Sequence, residues 1–194
     1  MKKIASLLFL SLSLSGCAIL SELTALTKCE FRFHSAQNPT LSGIDVTTKK
    51  AFSDFSFIEG QALVANILRG TLPFSITANV EVKNPGLATA AVNQIDWIAF
   101  IDDVRVSDGV INNRIEVAPN GGTTIVPIQI QTDLFEFLEG DNPRTMLNFG
   151  LNLMEAGGEP TRLSMQIKPY ISIGGQNISY PGYFTINHEF SSGN

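Results

Sequence analysis

The chain reads as mainly β, a two-sheet antiparallel sandwich with one or two accessory helices, and three observations predict it. Period-two alternation dominates the chain beyond residue 28. Its clearest case, Phe74-Ser75-Ile76-Thr77-Ala78-Asn79-Val80-Glu81-Val82-Lys83, puts five apolar residues on one face and five polar ones on the other. Such a strand covers a core on one side and meets water on the other, which antiparallel sheets permit and parallel sheets rarely do. Turn-forming residues separate seven to nine short strands, while helical periods interrupt only twice.

In chain order, the first segment stands outside that fold. Met1-Lys2-Lys3 is a positive start, Ile4 to Leu14 is an apolar run, and Leu14-Ser15-Gly16-Cys17 closes it with small residues before a cysteine. Eleven helical residues rise about 16 Å, half of a ~30 Å hydrocarbon core, so the run is a processed signal rather than a membrane span. The ending resembles the lipobox of bacterial lipoproteins. That resemblance implies cleavage between Gly16 and Cys17, then acylation of the Cys17 thiol and of its freed amine. Two or more chains anchor stably, each buried methylene contributing about 0.8 kcal/mol. The expected partner is therefore a membrane, held through lipid on Cys17, and the expected address is the bacterial cell envelope. In two-membrane bacteria an Asp after the cysteine marks inner-membrane retention; Ala18 stands there instead and favours the outer membrane, periplasmic side. The alternative is an ordinary secretory signal with an incidental cysteine.

Cleavage would remove Lys2 and Lys3 but no acid, leaving 11 basic against 18 acidic residues, a net charge of −7. An acidic surface with no Lys/Arg cluster repels phosphate backbones, so no nucleic-acid partner is expected. The remaining 178 residues suit one domain with a sizeable core. The expected organisation is a signal peptide over 1–16, a lipidated tether over 17–28 and a single sandwich over 29–190. Residues 18–28 read as a short surface helix through Ile19, Leu23 and Leu26, or as an irregular connector. With Cys17 acylated, Cys29 is a lone thiol. It shares a strand face with Phe31 and Phe33 and reads as a small buried apolar residue, a reactive thiol or an intermolecular disulfide being the alternative.

Further along, Ser56-Phe57-Ile58-Glu59 resembles a capping box ahead of Leu63, Val64, Ile67 and Leu68, with Gly70 as terminator. The alternating strand from Phe74 ends at Asn84-Pro85-Gly86. A strand over Asn93–Ile101 carries apolar residues on both faces. Asp102-Asp103 reads as a hairpin tip, returning through Val104-Arg105-Val106 to a turn at Ser107-Asp108-Gly109. Arg114–Val117 is a strand and Pro119-Asn120-Gly121-Gly122 a turn. Pro127 marks the next strand, which alternates through Thr124, Val126, Ile128 and Ile130, as unpaired or bulged on one side. Asp133–Leu138 adds a short helical turn, and Asn142-Pro143 starts a second helix that Gly157-Gly158 stops. Strands then cover Leu163–Ile167, Tyr170–Ile173, Asn177–Tyr180 and Phe184–Phe190.

The order of elements resembles the LEA type 2 proteins (late embryogenesis abundant group 2, with the related WHy domain). It lies in Val80-Glu81-Val82-Lys83-Asn84-Pro85-Gly86, the strand through Trp97 to Ile101, the Ser107-Asp108-Gly109 turn, and Val117-Ala118-Pro119-Asn120-Gly121-Gly122-Thr123-Thr124 leading into Val126-Pro127-Ile128. The resemblance covers about residues 40–190, densest over 70–132, with 133–160 departing from the family pattern. It implies an immunoglobulin-like or fibronectin-III-like sandwich, a link to stress and desiccation, and no catalytic residues to carry over.

No nucleophile elbow, P-loop or dinucleotide fingerprint occurs, and His34 and His188, the only histidines, lack ligand spacing. No enzyme activity, cofactor or metal is expected. Asp96, Asp102, Asp103 and Asp108 read as turn residues rather than calcium ligands. The expected function is a non-enzymatic envelope lipoprotein whose sandwich is a binding or stress-protection module. One alternative is an assembly or scaffolding protein docking an envelope partner through a sheet edge or the 133–156 segment, with Phe135, Phe137, Leu138 and Phe149 as the candidate interaction surface. Another is binding of a lipid or other apolar ligand, which needs a cavity.

Overall fold

Strand β3 (Pro73–Asn84) realises the alternation at the centre of its sheet. The computed structural model describes residues 24–49, 51–138, 143–153, 159–173 and 176–190. Phe74, Ile76, Ala78, Val80 and Val82 of β3 are buried on its inner face. On either side lie β1 (Glu30–Leu41), which pairs with the two-residue β2 (Ile44–Asp45), and β8 (Gly122–Asp133), giving the antiparallel order β2-β1-β3-β8. Pro127 is accommodated because β8 is the edge of that order, where a missing N–H leaves no ladder partner wanting.

The facing sheet is built on β5 (Gln94–Ile101) and β9 (Thr161–Ile173). Its order is β10-β9-β5-β6, with β6 spanning Val104–Ile111 and β10 Gln176–Ser179, and β11 (Phe184–Phe190) also pairs with β9. A small ladder joins β4 (Ala90–Val92) to β7 (Ile115–Val117). The architecture is thus the two-sheet antiparallel sandwich that the alternation predicts. Asp102 and Asp103 adopt φ of 46° and 70°, the left-handed pair that a tight hairpin tip requires.

Two strand expectations are corrected. Ser107-Asp108-Gly109 is not a turn, since β6 runs through it to Ile111. Gly109 pairs with Trp97, and a Cβ there would lie 2.6 Å from Trp97 Cζ2, so the glycine makes room for the indole. The strands expected at Leu163–Ile167 and Tyr170–Ile173 are one, β9, running through Pro169. The proline is tolerated because it falls where β9 changes partners, from β11 (to Ile167) to β10 (from Tyr170).

Both open sides of the sandwich are closed by side chains. On one, Ser107 Oγ donates to Gln131 O at 2.8 Å, joining β6 to β8. On the other, β1 meets β11: Phe31 stacks on Phe184 at 4.4 Å, and Phe33 on the His188 ring at 4.0 Å. Behind this seam sits α3 (Pro143–Leu153), reached through the single turn α2 (Phe135–Leu138). Phe149 of α3 packs edge-on against Phe74 and Phe190, and Asn152 Nδ2 donates to Glu159 O and Thr161 Oγ1. The segment that departs from the family pattern is therefore partly a cover for the core.

The residues just ahead of β1 also pack on the core. Residues 24–26 are helical, and Ala25 and Leu26 are buried in the same core as β3 and β5. Their apolar side chains help fill that end of the sandwich. At the opposite end, α1 (Phe57–Leu68) starts on the predicted capping box. Ser56 Oγ accepts from Glu59 N, Glu59 Oε2 accepts from Ser56 N at 2.7 Å, and Gly70 terminates the helix at φ 71°.

Two outcomes follow. Gly109→Ala should cost about 1–3 kcal/mol by forcing the Trp97 ring to shift, and be read as a lower denaturant midpoint with altered tryptophan fluorescence. Lys49 and the cap hold the Glu59 carboxyl down at about 2. Because the folded value lies below the unfolded one, this support is full above about pH 4.5 and is lost as pH falls toward 2. Hydrogen-exchange protection at Gly60 N, which donates to Ser56 O, should decline over that window in the parent and much less in Glu59→Gln.

Candidate functional site

The residues named from sequence scatter rather than converge. Gly16 and Cys17 lie outside the described residues. Phe149 is 1 % exposed, so it is removed from the candidate interaction surface; the three-ring packing with Phe74 and Phe190 claims it for the core. Phe137 is partly buried against that core and Phe135 is half-buried, while the Leu138 side chain lies outside what is described.

The first and last strands do bring the two histidines to one region, without a shared task. His188 lies between Phe33 and Phe190, and burial lowers its pKa. His34 turns outward, its Nδ1 3.7 Å from Glu81 Oε2, and Arg32 also pairs with that carboxylate at 2.7 Å. The Arg32 guanidinium holds Glu81 below the usual carboxylate range. Arg32 is largely exposed while the Glu81 side chain is nearly buried, so the pair is a half-buried cross-strand contact.

The four aspartates are equally dispersed. Asp96 accepts from Gln94 Nε2 and contacts the Tyr170 hydroxyl, raising its pKa. Asp102 and Asp103 fasten Arg162 across to β9, and Asp108 pairs with Arg105. Among the described residues no group of three His, Cys, Asp or Glu side chains could hold a metal ion. No described helix is long and apolar enough to cross a membrane.

One apolar void opens at the end where the chain enters, lined by Leu26, Phe31, Val82, Val92, Ile95 and Val117 among others. Its volume of about 10 Å³ is at the lower limit for one water and far below a lipid's need. Beside it Cys29 is buried, its Sγ donating to Ala25 O at 3.6 Å. Desolvation pushes the thiol up to about 11.

The Asn84-Pro85-Gly86 and Asn120-Gly121-Gly122 turns form a dense knot at this same end. Asn84 is wholly buried; its Nδ2 donates to Ala88 O (2.9 Å) and Val117 O (3.1 Å), and its Oδ1 accepts from Gly86 N (2.9 Å). Gly121 N donates to Asn84 O and Asn120 N to Gly86 O, both at 2.8 Å. Asn120 and Gly121 take φ of 60° and 83°, and a Cβ on Gly122 would lie 2.4 Å from Ala118 O. The Asn84 amide is thus spent entirely on backbone partners.

Sequence reasoning missed the outward face of α1. The helical period runs through Leu63, Val64, Ile67 and Leu68, and of these only Leu63 is buried. The available signal was Phe57 and Ile58, which make the helix apolar on more than one side.

Cys29 should react with a maleimide about 100-fold more slowly in the folded protein than in denaturant at the same pH, since the thiolate is what reacts. Peptide-level mass spectrometry would read both rates, and equal rates would place the thiol at the surface.

No protein-family model matches the chain, and no curated protein does. Solved structures similar to it include the following three. A protein from Archaeoglobus fulgidus is 18 % identical, covers 82 % of this chain and 96 % of its own, and superposes with a TM-score of 0.38. A protein from Arabidopsis thaliana is 14 % identical over 61 % of this chain and 70 % of its own, at a TM-score of 0.42. A candidate late embryogenesis abundant (LEA) protein is 14 % identical over 98 % of this chain and 87 % of its own, at a TM-score of 0.39.

Proposed function

We propose that the protein is a non-enzymatic lipoprotein of the bacterial cell envelope, held by lipid on Cys17, whose LEA type 2-like sandwich serves as a binding or stress-protection module. The observation that carries the reading is the Leu14-Ser15-Gly16-Cys17 sequence placed just ahead of a buried domain entry at Ala25 and Leu26. Ala25 follows Cys17 by eight positions, so the sandwich would sit within about 30 Å of its anchor. Ala18 favours the outer membrane.

The non-enzymatic part rests on how the polar groups are used. Cys29 is spent on a carbonyl, His188 on aromatic stacking, and the aspartates on turns and cross-strand pairs. Docking through the 133–156 segment loses its anchor with Phe149 in the core. Apolar ligand binding gains nothing from a void near 10 Å³.

The anchor is tested with the full chain expressed in a lipoprotein-processing bacterium. Intact-mass analysis and membrane fractionation should show an acylated, membrane-bound protein lacking residues 1–16, and Cys17→Ser should abolish both acylation and retention. An unacylated Cys17 in the parent would overturn the anchor. For the stress role, a strain lacking the gene should survive drying or osmotic shock less well, and an unchanged survival curve would reject it.

A further inference from the structure

Strand β11 has a backbone ladder on one side only. It pairs with β9 from Phe184 opposite Ile167 to Phe190 opposite Thr161, and meets β1 through side-chain rings. Four of its side chains turn inward. Ile186 is buried in the core, Phe184 stacks on Phe31, and Phe190 packs edge-on against Phe149 of α3. The fourth, His188, lies flat on Phe33, with ring centroids 4.0 Å and planes 14° apart, and edge-on to Phe190 at 4.7 Å. An edge strand gripped in this way belongs to the part of a fold that opens locally before the rest. Of its four inward side chains, only His188 can change its charge.

That grip requires a neutral imidazole. Neutral, the ring packs as a flat body between two phenyls; protonated, it carries an unpaired charge into the margin between the sheets. Among the described residues neither of its nitrogens has a hydrogen bond or an ion pair, and burial alone acts on its titration, moving it down. The charged and titratable groups on the elements around it turn elsewhere. On β1, Arg32 and His34 reach Glu81, Glu30 faces Lys83, and just ahead of the strand Cys29 stays a protonated thiol. On β9, Arg162 pairs with Asp103 and Lys168 lies over Tyr183, while Arg144 of α3 reaches Glu159. Glu189 of β11 itself lies on the outward face, in register with Arg162. The phenyl face of Phe33 returns part of what an imidazolium loses with its water, and no carboxylate supplies the rest.

We infer that His188 is an acid-sensitive latch on β11: when protonated it loosens the strand from β1 and lets it part from β9. The β9 edge so uncovered presents backbone donors and acceptors of the kind to which an added strand pairs. The direction follows from linkage. Because the folded value lies below the ordinary 6.5, detached β11 holds the proton more tightly, so detachment grows as pH falls below 6.5 and levels off beneath the folded value. The latch does not depend on the lipid anchor proposed above.

The test is hydrogen exchange of the full chain from about pH 7.5 to about pH 5, with rates corrected for the chemical exchange rate at each pH. His34 and His188 are the only side chains whose ordinary titration falls in that range. Protection of residues 184–190 should fall at least about threefold in the parent and in His34→Gln, and stay level in His188→Phe, which keeps a ring but takes no proton. Protection of β3 should hold in all three, which shows both that each variant is folded and that the opening is local. No fall at 184–190 in the parent, an equal fall in His188→Phe, loss of the fall in His34→Gln, or an equal fall across β3 would overturn the inference.

Discussion

A slip of β3 by one residue against its neighbours would carry Asn79 and Glu81 into the core and expel Ile76, Ala78 and Val80. That penalty fixes the register of the central strand, because burying an unpartnered carboxylate costs far more than any gain on the other face. With β3 set, β1 and β8 pair along it for nearly their whole lengths, and their inner residues define the floor on which β5 and β9 lie. The two closures follow from where the sheet edges fall. Ser107 bridges one side, and the aromatic rings of β1 and β11 fill the other. An open edge would be a template for pairing with other chains, and here both sheets meet at their margins.

The Asn84 knot shows what a family-like motif can and cannot carry. Asn-Pro-Gly and Asn-Gly-Gly stand apart in sequence, yet Asn84 and Gly86 receive Gly121 and Asn120 directly. Each residue is explained by left-handed backbone, close approach or a buried amide with its hydrogen bonds met. The resemblance therefore speaks to how this end of the sandwich is built. It is silent on ligands: the Asn84 amide is met by backbone groups of the fold itself.

Most of the element order was legible because its causes are local. The Ser56/Glu59 box, Gly70, the Asp102-Asp103 tip and the alternation of β11 all act within a few residues of themselves. The failures have causes distant in sequence. Gly109 reads as a turn until Trp97 is seen lying over it, and Pro169 reads as a strand break until the change of partner along β9 supplies a place for it. The burial of Ala25 and Leu26 likewise depends on residues distant in sequence, such as Val82, Val92 and Val117. The face of α1 is the extreme case: periodicity shows that a helix has an apolar stripe, and only packing shows whether the protein covers it.

The course of β1 has a mechanical side. The strand enters at Glu30, beside the buried Ala25 and Leu26, and runs twelve residues toward the end that carries α1. It stays laddered to β3 from Glu30 opposite Lys83 to Leu41 opposite Phe74. A pull on the chain ahead of Glu30 against the Pro73 end of β3 would run along the strand axis, so the ladder bonds would be loaded in parallel and sheared together. A hairpin pulled from its open end would instead surrender them one at a time.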